Sequence, residues 1–201
     1  MKKETASAKN RFAMVKARHK ETLRDAVEKN LADEQLVPLC EFISGTRNFF
    51  TSSGCAGRII LIQLPKGESK KDASFHRRWH RQVSFSEVRE ALREKTKGEL
   101  WLKMEPFILH IGASTLENAG KILDVMHKAG VKRGGIIVAK PGKFLVELQG
   151  TQEMDAPLKK AGKVLVSDPY LRFLVKKASH KMRRNAEMLA RFEKECKAAL
   201  A

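Results

Sequence analysis

The stretch Phe49–Arg58 holds the side chains best suited to bind an anion. Two aromatic residues are followed by a run of small residues at 51–57, then by Arg58 and an apolar run. Small side chains let a ligand approach the backbone closely, and successive N–H groups in a turn form a concavity for an anion. An arginine where a loop becomes a strand suits recognition of a carboxylate or a phosphate. A tight turn between two strands explains the same pattern, and that interpretation stays open.

A large excess of positive charge limits the kinds of partner. The 201 residues carry a formal net charge of +17 and a pI of about 10.0, and 42% of them are apolar. This length and composition fit one domain with a packed core. The charge favours a polyanion as partner, with nucleic acid first and an anionic membrane surface second. No apolar stretch reaches the length of a membrane span, and no secretory signal is visible.

Cysteine usage points to a reducing compartment. The three cysteines, Cys40, Cys55 and Cys196, are odd in number and far apart along the chain. They form neither a zinc pattern nor a disulfide framework. We therefore expect a cytoplasmic protein without a metal site.

Both ends of the chain are expected to form long basic helices. At 1–30, apolar residues recur at steps of three and four while cations cover the other face. At 167–199, Pro169 stands in the first turn, where proline is tolerated, and apolar residues repeat nearly to the end. Each basic face is either a solvated surface or a surface for a polyanion.

The region 33–166 is expected to form an α/β core. Its predicted elements are, in order, a helix at 33–45, a strand at 59–64, a loop at 65–74, a helix at 86–96, a strand at 100–111, a helix at 114–130, a hairpin at 135–148, a loop at 155–158 and a strand at 164–166. Asp33 is expected to cap the first helix, and Pro38 to kink it or delay its start. Pro106 cannot donate to a ladder, so it marks a bulge or an edge in the long strand.

Cations interleave with aromatic rings at Phe75–Arg81. Aromatic faces stack on bases while arginines meet phosphates, so this is the segment most typical of nucleic-acid binding. Arg77, Arg78, Trp79 and Arg81 are its candidate contacts. The segment could equally be a strand with Trp79 inward and its charges outward.

Together these patterns predict an α+β fold. We expect a central mixed or mostly antiparallel sheet with flanking helices and long basic N- and C-terminal helices, all within one domain at 1–201. The chain has no G-x-G-x-x-G after a strand and no Walker loop. A nucleotide-type cofactor would therefore not be bound by a Rossmann fold.

Several motifs agree with one known family. They are Phe49–Ser53, Cys55–Ile59, Trp79, Lys103–His110, Ala129-Gly130, Gly135-Ile136, Asp155–Leu158 and Lys181–Asn185. In their order and spacing the chain resembles the tRNA wybutosine-synthesizing protein 3 family, methyltransferases that modify the tricyclic base beside the anticodon of phenylalanine tRNA. The family usually has a second serine where this chain has Gly54, often glutamate at Asp155, and arginine near Lys132.

The resemblance implies methyl transfer from S-adenosylmethionine to N-4 of the tricyclic wybutosine precursor, in the anticodon stem-loop of phenylalanine tRNA, by a fold other than the Rossmann methyltransferase. Candidates for proton removal are His110, Asp155 and His80, because such a reaction needs a base and imidazole exchanges protons near neutral pH. The residues expected at the cofactor are Ser52, Ser53, Cys55, Gly57 and Arg58. For Ser52, Ser53, Cys55 and Arg58, the amino-carboxypropyl arm of the substrate is the alternative partner, since both molecules carry a carboxylate that Arg58 could hold. Those expected at the substrate or along the tRNA are Arg77, Arg78, Trp79, Arg81, Lys103, Glu105, Lys132, Arg133, Lys181, Arg184 and Asn185. Composition alone fits a non-catalytic RNA-binding protein equally well.

Overall fold

The computed structural model describes residues 2–65 and 73–200. The helices are α1 (Lys2–Glu28), α2 (Val37–Gly45), α3 (Phe85–Ala91), α4 (Leu116–Ala129) and α5 (Asp168–Leu200). The strands are β1 (Phe49–Cys55), β2 (Arg58–Leu64), β3 (Ser74–Trp79), β4 (Glu99–Glu105), β5 (Ile108–Ala113), β6 (Arg133–Lys140), β7 (Lys143–Gln149), β8 (Met154–Lys160) and β9 (Lys163–Val164). The pairings between these strands are antiparallel, unlike the parallel sheet of a Rossmann fold. The α+β class is confirmed.

Contacts within the chain divide it into two compact units. Unit 1 comprises the described residues up to Ala56, Phe107–Thr151 and the residues from Glu187 onward, and unit 2 comprises Gly57–Pro106 and Gln152–Ala186. Each unit has an antiparallel sheet of its own, where the sequence predicts one central sheet. The assignment of residues 1–201 to a single domain stays a prediction.

Unit 1 is built on a four-stranded sheet with the order β1-β5-β7-β6. Alternate residues of its strands, such as Leu109, Ile111 and Val146, join α2, α4 and the end of α5 in one buried apolar core. Helix α4 presents its apolar side to this core between an N-cap at Thr115 and a left-handed C-cap at Gly130. The intervening residues of the strands therefore point to the face of the sheet away from this core.

On that other face, α1 is fastened to β1. The fully buried Phe50 ring occupies the space above Gly112, where a Cβ would lie 2.0 Å from it. His19 of α1 stacks on the same ring, with centroids 5.0 Å apart. Lys16 donates to the carbonyl of Phe49 at 2.8 Å and also to that of Thr46. Burial, and then the charge of Lys20, lower the pKa of Lys16. At least one cation of the basic N-terminal helix thus has a structural role.

Unit 2 is built on a five-stranded sheet with the order β3-β2-β4-β8-β9. Ile59, Leu61, Leu102 and other alternate residues pack with α3 and the first part of α5 in a second apolar core. Because side chains alternate along a strand, Arg58, Trp101, Lys103 and Glu105 point away from that core. The result is one apolar face and one face rich in charge.

The predicted long strand at 100–111 is wrong. It consists of two strands, β4 and β5, which belong to different sheets and are separated by Pro106 and Phe107. Pro106 has no N–H to give to a ladder, so pairing ends there rather than continuing past a bulge. The Phe107 carbonyl instead accepts from the N–H of Gly150 at 2.9 Å.

The predicted loop at 155–158 is also wrong, since these residues lie within β8. Pro157 is accommodated because the pairing of β8 with β4 is irregular at this place, between Leu100 and Trp101. As a strand residue, Asp155 has a fixed cross-strand neighbour in Lys103.

The small residues after Phe50 form a strand and not the expected turn. Ser52 is the extra residue of a β-bulge, because Thr51 pairs with Ile111 and Ser53 with His110. The chain turns only at Ala56-Gly57, where Gly57 has a φ of 99° that favours glycine. A concave anion site made of successive N–H groups in a loop is therefore not formed at 51–55.

The predicted helices agree in place, with changes at their ends. The terminal helices at 1–30 and 167–199 correspond to α1 and α5. Helix α2 begins only at Val37, with Pro38 in its first turn, and Asp33 does not cap it but accepts from the N–H of Ala56 at 2.7 Å. Helix α3 ends at Ala91, before the expected residue 96. Most of the predicted loop at 65–74 lies outside the described residues.

Candidate functional site

In unit 1, three polar side chains form a hydrogen-bonded chain across three neighbouring strands. Ser53 Oγ lies 2.9 Å from His110 Nδ1, and His110 Nε2 lies 2.8 Å from Glu147 Oε2. The cross-strand register sets these contacts, since His110 stands directly opposite both Ser53 and Glu147. Ser53 is exposed, while the His110 side chain is 19% exposed. The chain of hydrogen bonds therefore has one end open to solvent.

The neighbours of His110 determine its tautomer. An ionised carboxylate only accepts hydrogen bonds, so Nε2 carries the proton that is donated to Glu147. Neutral His110 then has Nδ1 as an acceptor, and Ser53 donates its hydroxyl proton to it. This arrangement lets His110 take a proton through Ser53 while Glu147 stabilises the charge that forms on the ring.

A cavity of about 220 Å³ lies beside the same strand. Ser52, Ser53 and Gly54 of β1 line one side, and His19 and Leu36 are among the residues of the other sides. Pockets for drug-sized ligands measure about 300–1,000 Å³. This cavity therefore takes a small group, not a whole nucleoside cofactor. A serine side chain at Gly54 would meet Leu109 and Leu36, since a Cβ there would lie 2.8 Å and 3.0 Å from their methyl carbons.

The other predicted residues of unit 1 differ in exposure. Cys55 ends β1 and is half-buried. Lys132 and Arg133 are exposed at the beginning of β6. Because exposed cations on a strand end are accessible, these two remain suitable for a polyanion.

In unit 2, four predicted residues form two ion pairs on the charged face of the sheet. Arg58 Nε lies 2.6 Å from Glu105 Oε2, and Lys103 Nζ lies 2.6 Å from Asp155 Oδ2. Each pair joins opposite residues of adjacent strands. The predicted same-face arrangement of Lys103 and Glu105 is confirmed, although neither is the other's ion-pair partner.

Two of the predicted arginines make cation–π contacts with the ring of Phe75. The guanidinium carbons of Arg58 and Arg78 lie 4.9 Å and 4.2 Å from the centre of its ring. Within the described part of the chain, Arg78 has no ion-pair partner, whereas Arg77 is paired with Glu94 and Arg81 with Glu87. Arg78 is therefore the cation of the Phe75–Arg81 segment that is free to bind an anion.

The remaining predicted residues are spread over unit 2. Trp79 is half-buried and packs on the apolar core, as the strand interpretation predicts, and His80 follows it after the end of β3. On α5, Arg184 is exposed and Lys181 half-buried, whereas Asn185 is fully buried. The three proposed bases do not belong to one unit, since His110 is in unit 1 and both Asp155 and His80 are in unit 2.

Three residues that contact the predicted site residues were not themselves predicted from the sequence. Glu147 holds His110, Phe75 holds Arg58 and Arg78, and Trp101 has Lys103 Nζ 5.9 Å from its ring. The exposed Phe75 lies in a segment identified as typical of nucleic-acid binding, which is the one signal the sequence offers for it. Glu147 has no local signal, because only strand pairing brings it to His110.

Among the described residues, no helix has both the length and the apolarity needed to cross a membrane.

Comparison with known proteins gives consistent matches over most of the chain. A family described as "Methyltransferase TYW3" matches residues 9–198. The tRNA(Phe) 7-((3-amino-3-carboxypropyl)-4-demethylwyosine(37)-N(4))-methyltransferase 1 of Pyrococcus abyssi is 40% identical over 172 residues, which cover 86% of this chain and 89% of that protein. The mouse tRNA wybutosine-synthesizing protein 3 homolog is 34% identical over 171 residues, 84% of this chain and 66% of that protein.

Solved structures agree with these sequence matches. A protein of Pyrococcus horikoshii superimposes with a TM-score of 0.88 at 35% identity, covering 92% of this chain and 96% of that one. A protein of Aeropyrum pernix superimposes with a TM-score of 0.71 at 28% identity, covering 82% of this chain and 97% of that one. With a family match over nearly its whole length, the chain belongs to the tRNA wybutosine-synthesizing protein 3 family of tRNA methyltransferases.

Proposed function

We propose that this protein transfers a methyl group from S-adenosylmethionine to N-4 of the tricyclic wybutosine precursor beside the anticodon of phenylalanine tRNA. The observation that carries the proposal is the Ser53–His110–Glu147 chain of hydrogen bonds. Methylation replaces the hydrogen of a ring N–H, and this chain offers that hydrogen a route to a base. The names of the family's relatives supply the chemical identity of the acceptor.

The reaction balances as a displacement followed by loss of a proton. S-adenosylmethionine supplies the methyl group as an electrophile, and its sulfur keeps the electron pair of the broken carbon–sulfur bond. The acceptor nitrogen forms the new N–C bond and gives up its proton to Ser53 Oγ, which passes its own proton to His110 Nδ1. Glu147 accepts from the other ring nitrogen throughout, so the imidazolium forms beside a carboxylate.

The residues present fit one end of the cofactor. Arg58 uses Nε for Glu105, and within the described residues its two terminal nitrogens have no hydrogen-bond partner. A guanidinium edge with two free donors can bind a carboxylate through two parallel hydrogen bonds. The amino acid end of S-adenosylmethionine carries such a carboxylate. The cavity beside Ser52 and Ser53 is too small for the rest of the cofactor and at most takes part of it.

Binding of the tRNA is assigned to exposed cations. The net charge of +17 supplies affinity for a phosphate backbone, and Arg78 is a cation without an ion-pair partner in the described part of the chain. We assign the same role to Lys132, Arg133, Lys181 and Arg184, which are exposed or half-buried. The anticodon stem-loop is the part of the tRNA that we propose to be bound, and the cytoplasm is the proposed compartment.

Mass spectrometry of phenylalanine tRNA from a strain that lacks this protein tests the proposal. We expect the unmethylated tricyclic intermediate to accumulate, and the wild-type gene to restore the methylated base. The His110→Ala variant should not restore it, since loss of a general base lowers a rate by about 10²–10⁴-fold. Normal methylation in the deletion strain would refute the proposal.

A non-catalytic RNA-binding protein remains the alternative from another class. It predicts tRNA binding without affinity for S-adenosylmethionine. Membership of a methyltransferase family and the hydrogen-bonded histidine both favour the enzyme. Calorimetric titration with S-adenosylmethionine distinguishes the two, because only the enzyme releases or absorbs heat on saturation of one site.

A further inference from the structure

We infer that the charged face of unit 2 is a binding site for an α-amino acid group, in which Arg58 receives the carboxylate and Glu105 and Asp155 receive the ammonium. This inference rests on the proposed function, because that function supplies two ligands that contain such a group. It assigns Asp155 to binding and leaves proton removal to His110.

The four residues of the site lie on neighbouring strands with their side chains on one face. Arg58 of β2 is opposite Glu105 of β4, and Lys103 of β4 is opposite Asp155 of β8. Lys103 and Glu105 are two residues apart on one strand, a separation of about 7 Å. The charges therefore alternate over a short distance, from Arg58 through Glu105 and Lys103 to Asp155, which is the pattern that complements a zwitterion.

The cations of this face have unused donors. Arg58 touches Glu105 through Nε at 2.6 Å, and its Nη1 and Nη2 atoms bind no residue in the described ranges 2–65 and 73–200. Phe75 supports the guanidinium from the side, with its ring centre 4.9 Å away. Lys103 uses one of its three donors on Asp155. The arginine is thus oriented in advance, with the edge that binds carboxylates left open.

The anions of this face are accessible as well. The side chains of Glu105 and Asp155 are 38% and 51% exposed. Ion pairs at this level of exposure contribute about 0–1 kcal/mol, so exchange of a partner for a ligand group costs little. A ligand ammonium can therefore replace or join the existing cation at each carboxylate. The cations Arg58 and Lys103 then remain to hold the ligand carboxylate.

Two ligands of the proposed reaction contain this group. The names of the relatives describe an acceptor with a 3-amino-3-carboxypropyl arm, and S-adenosylmethionine ends in the same arrangement of ammonium and carboxylate. A structural role for both ion pairs is the competing explanation. It predicts an effect on stability and none on recognition of the amino acid group.

Isosteric, neutral variants test the site without removing its bulk. Glu105→Gln and Asp155→Asn delete the charges that would meet an ammonium. Glu99→Gln is the matched control, because Glu99 is on the same strand and face as Glu105 and is also ion-paired, to Lys160 at 2.9 Å. Thermal unfolding of each variant reports any structural effect separately.

The first arm of the experiment uses the acceptor. Methyl transfer is measured on tRNA that carries 4-demethylwyosine with or without the amino-carboxypropyl arm. If the site holds the acceptor, the wild type prefers the tRNA with the arm, and each variant lowers this preference about tenfold or more, as expected for a charged hydrogen bond. The KM for S-adenosylmethionine stays unchanged.

The second arm of the experiment measures the binding of cofactor analogues and requires no turnover. Calorimetry gives the Kd of S-adenosylhomocysteine and of 5′-methylthioadenosine, which lacks the amino acid. If the site holds the cofactor, the variants weaken S-adenosylhomocysteine about tenfold and leave 5′-methylthioadenosine unaffected.

Either result supports an amino acid site and names its ligand. If both variants behave like Glu99→Gln in both arms, the inference is overturned and the ion pairs are structural. If the wild type binds S-adenosylhomocysteine through this site but methylates neither tRNA, the proposed function is wrong while the site stands.

Discussion

Glu147 Oε2 accepts a hydrogen bond from His110 Nε2 at 2.8 Å across the β5–β7 ladder, on the face of the unit 1 sheet opposite the apolar core. The contact fixes both the ring orientation and the tautomer of His110, which leaves Nδ1 to accept from Ser53. Glu147 therefore acts through His110, and we describe it as a positioning residue.

The Glu147→Gln variant is expected to lower kcat about 10- to 100-fold, with the KM values for tRNA and S-adenosylmethionine within about twofold of the wild type. A glutamine can still accept from Nε2, but it cannot balance the charge of an imidazolium. Steady-state kinetics with each substrate varied in turn measures kcat and both KM values.

Glu117→Gln is the control for that measurement, since the Glu117 side chain on α4 is 83% exposed and lies outside the proposed site. It should leave kcat and both KM values unchanged. Equal kcat values for Glu147→Gln and the wild type, with both proteins folded, would show that the His110 contact serves only the fold.

Arg78→Ala is expected to weaken tRNA binding more than Arg77→Ala or Arg81→Ala. Arg77 and Arg81 are already paired with Glu94 and Glu87, whereas Arg78 has only a ring contact with Phe75 in the part of the chain that the structure covers. Each phosphate contact that is lost reduces the slope of log K against log salt by about 0.9. Filter binding at several salt concentrations gives this slope for the three variants, and identical slopes would contradict the assignment to Arg78.

The sequence predicted what depends on local pattern. Helical periodicity located α1, α4 and α5, and the turn at Pro141-Gly142 located the β6–β7 hairpin. The order of the motifs singles out His110, Arg58 and Asp155 as candidate site residues, and their roles stay predictions. The helices and the hairpin were predicted correctly because their signals are local in the sequence.

The rest depends on pairings that are distant along the chain. Glu147 is 37 residues from His110 and Glu105 is 47 residues from Arg58, so no local window links them. The small residues at 51–55 read as a turn by propensity, but tertiary pairing with β5 overrides that preference. Pro106 correctly predicted an irregularity in the strand, yet only the pairing of β4 and β5 with their neighbours shows that it separates two sheets.

Lys16→Met is expected to destabilise the protein by about 1–3 kcal/mol, since it leaves the Thr46 and Phe49 carbonyls without their lysine donor. The methionine keeps the aliphatic length of the side chain, so loss of packing is small. Lys9→Met is the control, because Lys9 is exposed on the same helix and is more distant from Lys16 along it. Urea unfolding of both variants measures the difference, and equal midpoints would refute a structural role for Lys16.

The three thiols are expected to differ in reactivity near neutral pH. Burial raises the pKa of Cys40 to about 11 and that of Cys196 to about 12, so both stay protonated and enclosed in the folded chain. Cys55 is half-buried and within reach of a reagent. Iodoacetamide labelling followed by mass spectrometry should therefore modify Cys55 first and the other two only on unfolding. Labelling of Cys196 at the rate of Cys55 would contradict the buried position at the end of α5.

The same two thiols predict a loss of stability at alkaline pH. An unfolded cysteine releases its proton at its ordinary value of 9.0, whereas folded Cys40 and Cys196 hold theirs until about 11 and 12. Between these values the folded state binds more protons, so the free energy of unfolding falls as pH rises from about 9 to about 11. Cys196→Ala removes one of these two thiols, so the free energy of unfolding should fall less steeply with pH. The small cavity that it leaves lowers stability equally at every pH. Urea unfolding at about pH 8 and about pH 10.5 separates the two effects. An unchanged slope in Cys196→Ala would show that other groups cause the alkaline loss.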